Sequence, residues 1–116
     1  MQVEIELEVA AYQLFSRIAE LEVEVAAGTF LKQSQVRIMG ASASIQNPGK
    51  TTVDIDLVPL GEKFDNMTAL LTYERFWQKK VPMNLTIFGD YDVIYVHYPG
   101  NTFTFGLVVT MAYRFL

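Results

Sequence analysis

Asp54 and Asp56 stand two apart in TTVDIDL, and Glu4, Glu6 and Glu8 keep the same spacing in QVEIELE. Residues two apart on a strand share a face, so each set can present carboxylates side by side. Such a set could hold a cation or act as an acid/base pair. A calcium loop would add a turn glycine and a bidentate Glu, and neither accompanies them. The favoured reading is a solvated acidic strand face. His97, beside Tyr95 and Tyr98, could move protons. No nucleophile or orienting carboxylate stands near it in sequence, so it reads as a surface strand residue. There is no cysteine and no second histidine, which excludes thiolate metal sites, disulfides, cysteine nucleophiles and His-rich centres. No metal, cofactor or catalytic residue is expected. Asn66-Met67-Thr68 and Asn84-Leu85-Thr86 are N-glycosylation acceptors of the N-x-[ST] type, and two of them favour a secreted context. Tyr73, Phe76 and Trp77 could form a binding platform; aromatics at helical spacing read as core.

A chain of 116 residues with 51% apolar composition fits one packed domain. The net charge of −4 is uneven: six Glu against the lone Arg17 fall within residues 1–24. Lys79 and Lys80 are the only adjacent cations, so no basic stripe exists for nucleic acid. No apolar run reaches the roughly 20 residues of a membrane span. Residues 102–116 are too few and include Arg114. No membrane contact by the chain itself is expected. The start is acidic from Glu4 and lacks the cationic opening of a signal peptide.

The elements that must position these residues follow from period and turn chemistry. Val3, Ile5, Leu7 and Val9 alternate with the three glutamates over residues 2–9, as a half-buried strand requires. Leu14, Ile18, Leu21 and Val25 then recur at helical steps, flanked by Ala11, Phe15 and Ala19. This predicts an amphipathic helix over about Ala11 to Ala27 with Gly28 as its C′ residue. Residues 35–45 read as extended, Asn47-Pro48-Gly49-Lys50 as a turn, and TTVDIDLVPL as the second strand of a hairpin ended by Pro59. A second helix is predicted over Glu62 to Lys80, capped by Asp65 or Asn66, with Leu70, Tyr73 and Trp77 on one stripe. Lys79 and Lys80 would complement its C-terminal dipole. Residues 84–88 are ambiguous, and Tyr91 to Tyr98 reads as a strand buried on both faces. The order β-α-β-β-α-β is the ferredoxin-like α+β arrangement: a four-stranded antiparallel sheet with two helices on one face. The acidic sides of the first and third strands then point away from the helices. Residues 1–100 form the domain, and 101–116 an atypical tail or extra strand.

SEA domains share this element order and often cleave themselves at a Gly-Ser before the third strand. Here Gly49 is followed by Lys50, without a hydroxyl nucleophile, so no self-cleavage is expected.

Three segments carry a family resemblance: FLKQSQVRIMGASAS, TTVDIDLVPLGEKFDNMTALLTYERFWQKKV and FGDYDVIYVHYPG. They resemble the N-terminal extracellular domain of proline-rich plant receptor-like serine/threonine kinases of the abnormal-leaf-shape type. The similarity covers most of residues 3–100. It implies a cell-surface recognition domain that follows a signal peptide and precedes a proline-rich stalk, a transmembrane helix and a cytoplasmic kinase. It also implies a role in epidermal and shoot development signalling. It carries over no ligand-binding residues. This chain departs from the pattern at both ends, and no G-x-G-x-x-G, H-R-D or D-F-G motif occurs. It is therefore expected to be a truncated receptor product or gene model without a kinase, its last 16 residues foreign to the domain.

The expected function is non-catalytic binding of a protein, peptide or cell-wall ligand. The binding surface would be the acidic face of Glu4, Glu6, Glu8, Asp54 and Asp56, or the hairpin tip at 47–50. The alternative is a soluble intracellular ferredoxin-like module that forms homo- or hetero-oligomers through its sheet, and a small enzyme on the same fold ranks last. Plasma membrane or cell exterior is the expected location by resemblance, with cytoplasm the alternative.

Overall fold

Residues 1–98 are described by a computed structural model of the chain. The tail expected over 101–116 lies outside the described residues. Strands β1 (Gln2–Leu7), β2 (Val36–Ala43), β3 (Thr51–Leu57) and β4 (Tyr91–His97) form one sheet in the order β2-β3-β1-β4. Every neighbouring pair is antiparallel. This is the ferredoxin-like arrangement the element order predicts.

The strict alternation of β1 and β3 decides which face is filled. Val3, Ile5, Leu7, Val53, Ile55 and Leu57 are each at most 2% exposed. They pack against Leu14, Leu21, Val25, Tyr73, Phe76 and Phe88 from the helix layer. Burying each such side chain stabilises the fold by about 1.5–3 kcal/mol. The aromatic cluster Tyr73, Phe76 and Trp77 is thus core. The layer comprises α1 (Ala11–Leu14), a 3-10 turn over Phe15–Arg17, α2 (Ile18–Thr29), α3 (Asn66–Trp77) and the short α4 (Leu85–Phe88).

Several boundaries differ from the sequence reading. The first helix is interrupted by the 3-10 turn, which leaves Phe15 59% exposed. Gly28 is not its C′ residue: α2 continues to Thr29, and Phe30 takes the left-handed conformation at φ 64°. Gly28 instead permits close packing, since a Cβ there would lie 2.8 Å from Val81 Cγ1 and 2.9 Å from Pro82 Cδ. Arg75 ties the two long helices together. Its Nε donates to the Gly28 carbonyl at 2.9 Å, and its guanidinium lies over the Phe30 ring.

The second helix is shorter than 62–80 because both ends are capped inside that range. Asp65 is the N-cap: the Thr68 N–H donates to its Oδ1 at 2.8 Å and the Thr68 hydroxyl to its Oδ2 at 2.7 Å. These bonds hold the Asp65 carboxyl below its ordinary value. At the other end Lys79 adopts φ 55°, its N–H donates to Phe76 O, and the Lys80 N–H donates to Arg75 O. That is a Schellman ending with lysine where glycine is usual. Lys79 therefore lies past the helix and pairs with Asp90 at 3.1 Å and Asp92 at 3.6 Å. The ambiguous segment 84–88 contains the helical turn α4, capped by Asn84 Oδ1. Gly89 then turns the chain into β4 at φ 67°.

Candidate functional site

The helix-facing side of the sheet is filled, so a site on the sheet must lie on its other face. Register places the rows of that open face. Arg37, Asp56, Gln2 and His97 form one row across the four strands, and Gly40, Asp54, Glu4 and Tyr95 the next. Ser42, Thr52, Glu6 and Asp92 form the third. Both edge strands are irregular beside the middle row. The β2 register shifts between Ile38 and Gly40, and the β4 register shifts opposite Glu4 and Ile5. Each bulge adds one residue, Met39 in β2 and Ile94 in β4, and these are 66% and 39% exposed.

Bulges and small residues shape this face into two shallow hollows. One, of about 330 Å³, lies among Gln2, Met39, Asp54, Asp56 and Tyr95. The other, of about 390 Å³, lies among Glu4, Glu6, Ser42, Thr52, Asp54 and Ile94. Asp54 stands between them. Its β2 neighbour is Gly40, where an added Cβ would lie 3.8 Å from Asp54 Oδ2, an ordinary contact distance.

Glu4 and Asp54 are direct cross-strand partners, an arrangement of like charges that weakens a sheet. Partial burial, and then the Asp54 charge, raise the Glu4 carboxyl above its ordinary range. The Tyr95 hydroxyl is raised by its own burial, then by the charges of Glu4 and Asp54. Among the described residues, Glu4, Asp54 and Asp56 enter no ion pair.

The other two glutamates of the predicted acidic face have a different environment. Asn47 Nδ2 donates to Glu6 Oε1 at 3.1 Å, and the Ser44 hydroxyl donates to Glu6 Oε2 at 3.3 Å. Lys50 Nζ lies 3.8 Å from Glu6 and 3.7 Å from Glu8. Glu6 and Glu8 thus anchor the hairpin tip at 47–50 to β1. The five carboxylates therefore divide into a group held at the hairpin and a trio of Glu4, Asp54 and Asp56, in which Asp56 has the Met1 ammonium and Arg37 near it while Glu4 and Asp54 face each other.

Sequence reasoning missed Met39, Ile94 and Tyr95, which frame that trio. The reading of β4 as buried on both faces is corrected, since Asp92, Ile94 and His97 are exposed and Val93 and Tyr95 half-buried. Aromatic and β-branched density marks a strand, but it does not reveal whether a second layer covers it. The broken alternation of VRIMGASA, with glycine at its centre, is the one sequence signal of the β2 bulge.

No group of three or more His, Cys, Asp or Glu side chains among the described residues could hold a metal ion. No helix among them is long and apolar enough to cross a membrane. Both sequon asparagines, Asn66 and Asn84, are exposed and lie in the helix layer, away from the open face. The open face offers charge, two hollows and an apolar frame.

Comparison with known proteins supplies the context. Receptor-like serine/threonine-protein kinase ALE2 of Arabidopsis thaliana is 63% identical over 100 residues, covering 86% of this chain and 13% of that protein. The chain thus spans 13% of the length of this curated relative. No solved structure matches. The family described as the Receptor-like PK ALE2 N-terminal domain matches residues 1–102, a region distinct from the kinase. On this match the chain belongs to the ALE2-type receptor-like kinase N-terminal domain family.

Proposed function

We propose that this chain is a non-catalytic extracellular recognition domain of a plant receptor-like kinase, and that its open sheet face binds a cationic, partly apolar segment of a protein or peptide. One observation carries the choice of face. Glu4 and Asp54 stand directly opposite each other, and neither has an ion-pair partner among the described residues. Like charges in that position weaken the sheet, and departures from local stability rules concentrate at functional sites. A cationic ligand would relieve the repulsion, while Met39 and Ile94 would contact its apolar side chains.

Kinship with the ALE2 N-terminal domain supports placement outside the cell and a part in the receptor's signalling. Recognition by the face is favoured over edge pairing with a second copy. Both edge strands carry bulges, which interrupt the regular row of donors and acceptors that another strand would extend.

Two measurements test this reading. Protease added outside intact plant protoplasts should digest the native protein, and complete protection would overturn the extracellular placement. Reversing charge with Asp54→Lys and Asp56→Lys should weaken ligand binding at least tenfold while thermal unfolding stays near wild type. Unchanged affinity in that variant would overturn the choice of face.

A further inference from the structure

We infer that Asn66 and Asn84 both carry N-linked glycans, and that these sugars cover the helix layer and leave the sheet face as the bare interaction surface. The inference rests on the proposed route through the secretory pathway. Each asparagine opens an N-x-[ST] sequon. Each is exposed, as the first residue of α3 and the N-cap of α4.

The modification leaves the caps of both helices intact. Glycan transfer joins the asparagine Nδ2 to C1 of the first sugar of a lipid-linked pyrophosphate oligosaccharide. The C1–oxygen bond to pyrophosphate breaks, and the departing pyrophosphate leaves with the displaced Nδ2 proton. Oδ1 takes no part in the new bond. At Asn84 it is Oδ1 that accepts the Thr86 N–H at 2.9 Å and the Ile87 N–H at 3.3 Å, so the cap of α4 survives. At the other site the cap of α3 belongs to Asp65, one residue before the acceptor.

The exposed apolar side chains supply an independent reason. The middle residue of each sequon is one of them: Met67 is 63% exposed and Leu85 68%. Leu71, 41% exposed, lies one turn beyond Met67 on α3. A glycan on the preceding asparagine would cover such surface and keep it from self-association. The open face also exposes apolar residues, Met39 and Ile94, and no sequon lies in β1, β2, β3 or β4. The exposed apolar residues of α3 and α4 beside the sequons are thereby sheltered, while Met39 and Ile94 stay bare for a partner.

The test uses the full chain behind a cleavable secretory leader, produced in plant cells and measured by intact mass before and after enzymatic deglycosylation. The expected result is two glycans on the wild type, one on Asn66→Gln, one on Asn84→Gln and none on the double variant. Thr68→Ala and Thr86→Ala should each remove one glycan by disabling the sequon without touching its asparagine. The deglycosylated protein should remain folded by circular dichroism and form larger species on a sizing column. A secreted, folded wild type lacking sugar at either asparagine would overturn the assignment of that site. The readout involves no ligand, so a failed binding test of the sheet face and a failed glycan test are separately recognisable.

Discussion

Ile5 and Glu4 are neighbours on β1, yet they sit on opposite faces of the same sheet in unlike surroundings. Ile5 is fully buried among side chains from both long helices, while Glu4 faces Asp54 with no cation between them. The filled face follows the ordinary rules of a core at every position of β1 and β3. The open face breaks them, with a like-charge pair, two bulges and exposed Met39 and Ile94. Stability resides on one side of the sheet, and departures from it gather on the other. That asymmetry is the reason for proposing the open face as the binding surface.

The comparison predicts opposite outcomes for adjacent residues. Ile5→Ala should destabilise the domain by about 2–5 kcal/mol, the range for a truncated core side chain, measured by urea unfolding. Gly89→Ala should follow at about 2–4 kcal/mol from backbone strain and overpacking. Its φ is +67°, and an added Cβ would lie 2.8 Å from both the Cβ and the carbonyl oxygen of Glu8. A wild-type melting curve for that variant would show the turn into β4 to be less constrained than its geometry indicates.

Glu4→Gln should do the reverse, gaining about 0.2–1 kcal/mol by removing a like-charge cross-strand pair. Its pH dependence has a defined sign. Partial burial and then the Asp54 charge raise the native Glu4 carboxyl above its ordinary value of 4.5. The folded state therefore binds that proton more tightly than the unfolded chain, and the ionised group weakens the fold once pH exceeds the folded value. The advantage of glutamine should be full near neutrality and fade as pH falls through the raised value to below 4.5. A gain that persists below that range would mean the charge is not its cause.

The legible parts of the fold were those written in local periodicity. Alternation in β1 and β3 placed Val3, Ile5 and Leu7 inside and the acidic residues outside, and the Asn47-Pro48-Gly49-Lys50 turn located the hairpin. What escaped depends on tertiary approach. Gly28 reads as a helix terminator until Val81 and Pro82 are seen to require its missing side chain. The Lys79 conformation has no glycine to announce it. The acidic face was legible as a set of five carboxylates. Its division was not, because Lys50, Ser44 and Asn47 reach Glu6 and Glu8 only after the hairpin folds over β1. The apolar frame escaped for a related reason: bulges at Met39 and Ile94 arise from register between strands, which a single sequence does not record.

The most direct test of the open face is an amide NMR titration of the folded domain with a synthetic peptide alternating arginine and leucine. Binding at the open face should give shifts concentrated at residues 2–6, 37–42, 52–56 and 92–97, weakening with salt and lost in the Asp54→Lys, Asp56→Lys variant. Shifts centred on α1 to α3, or undiminished in that variant, would contradict it.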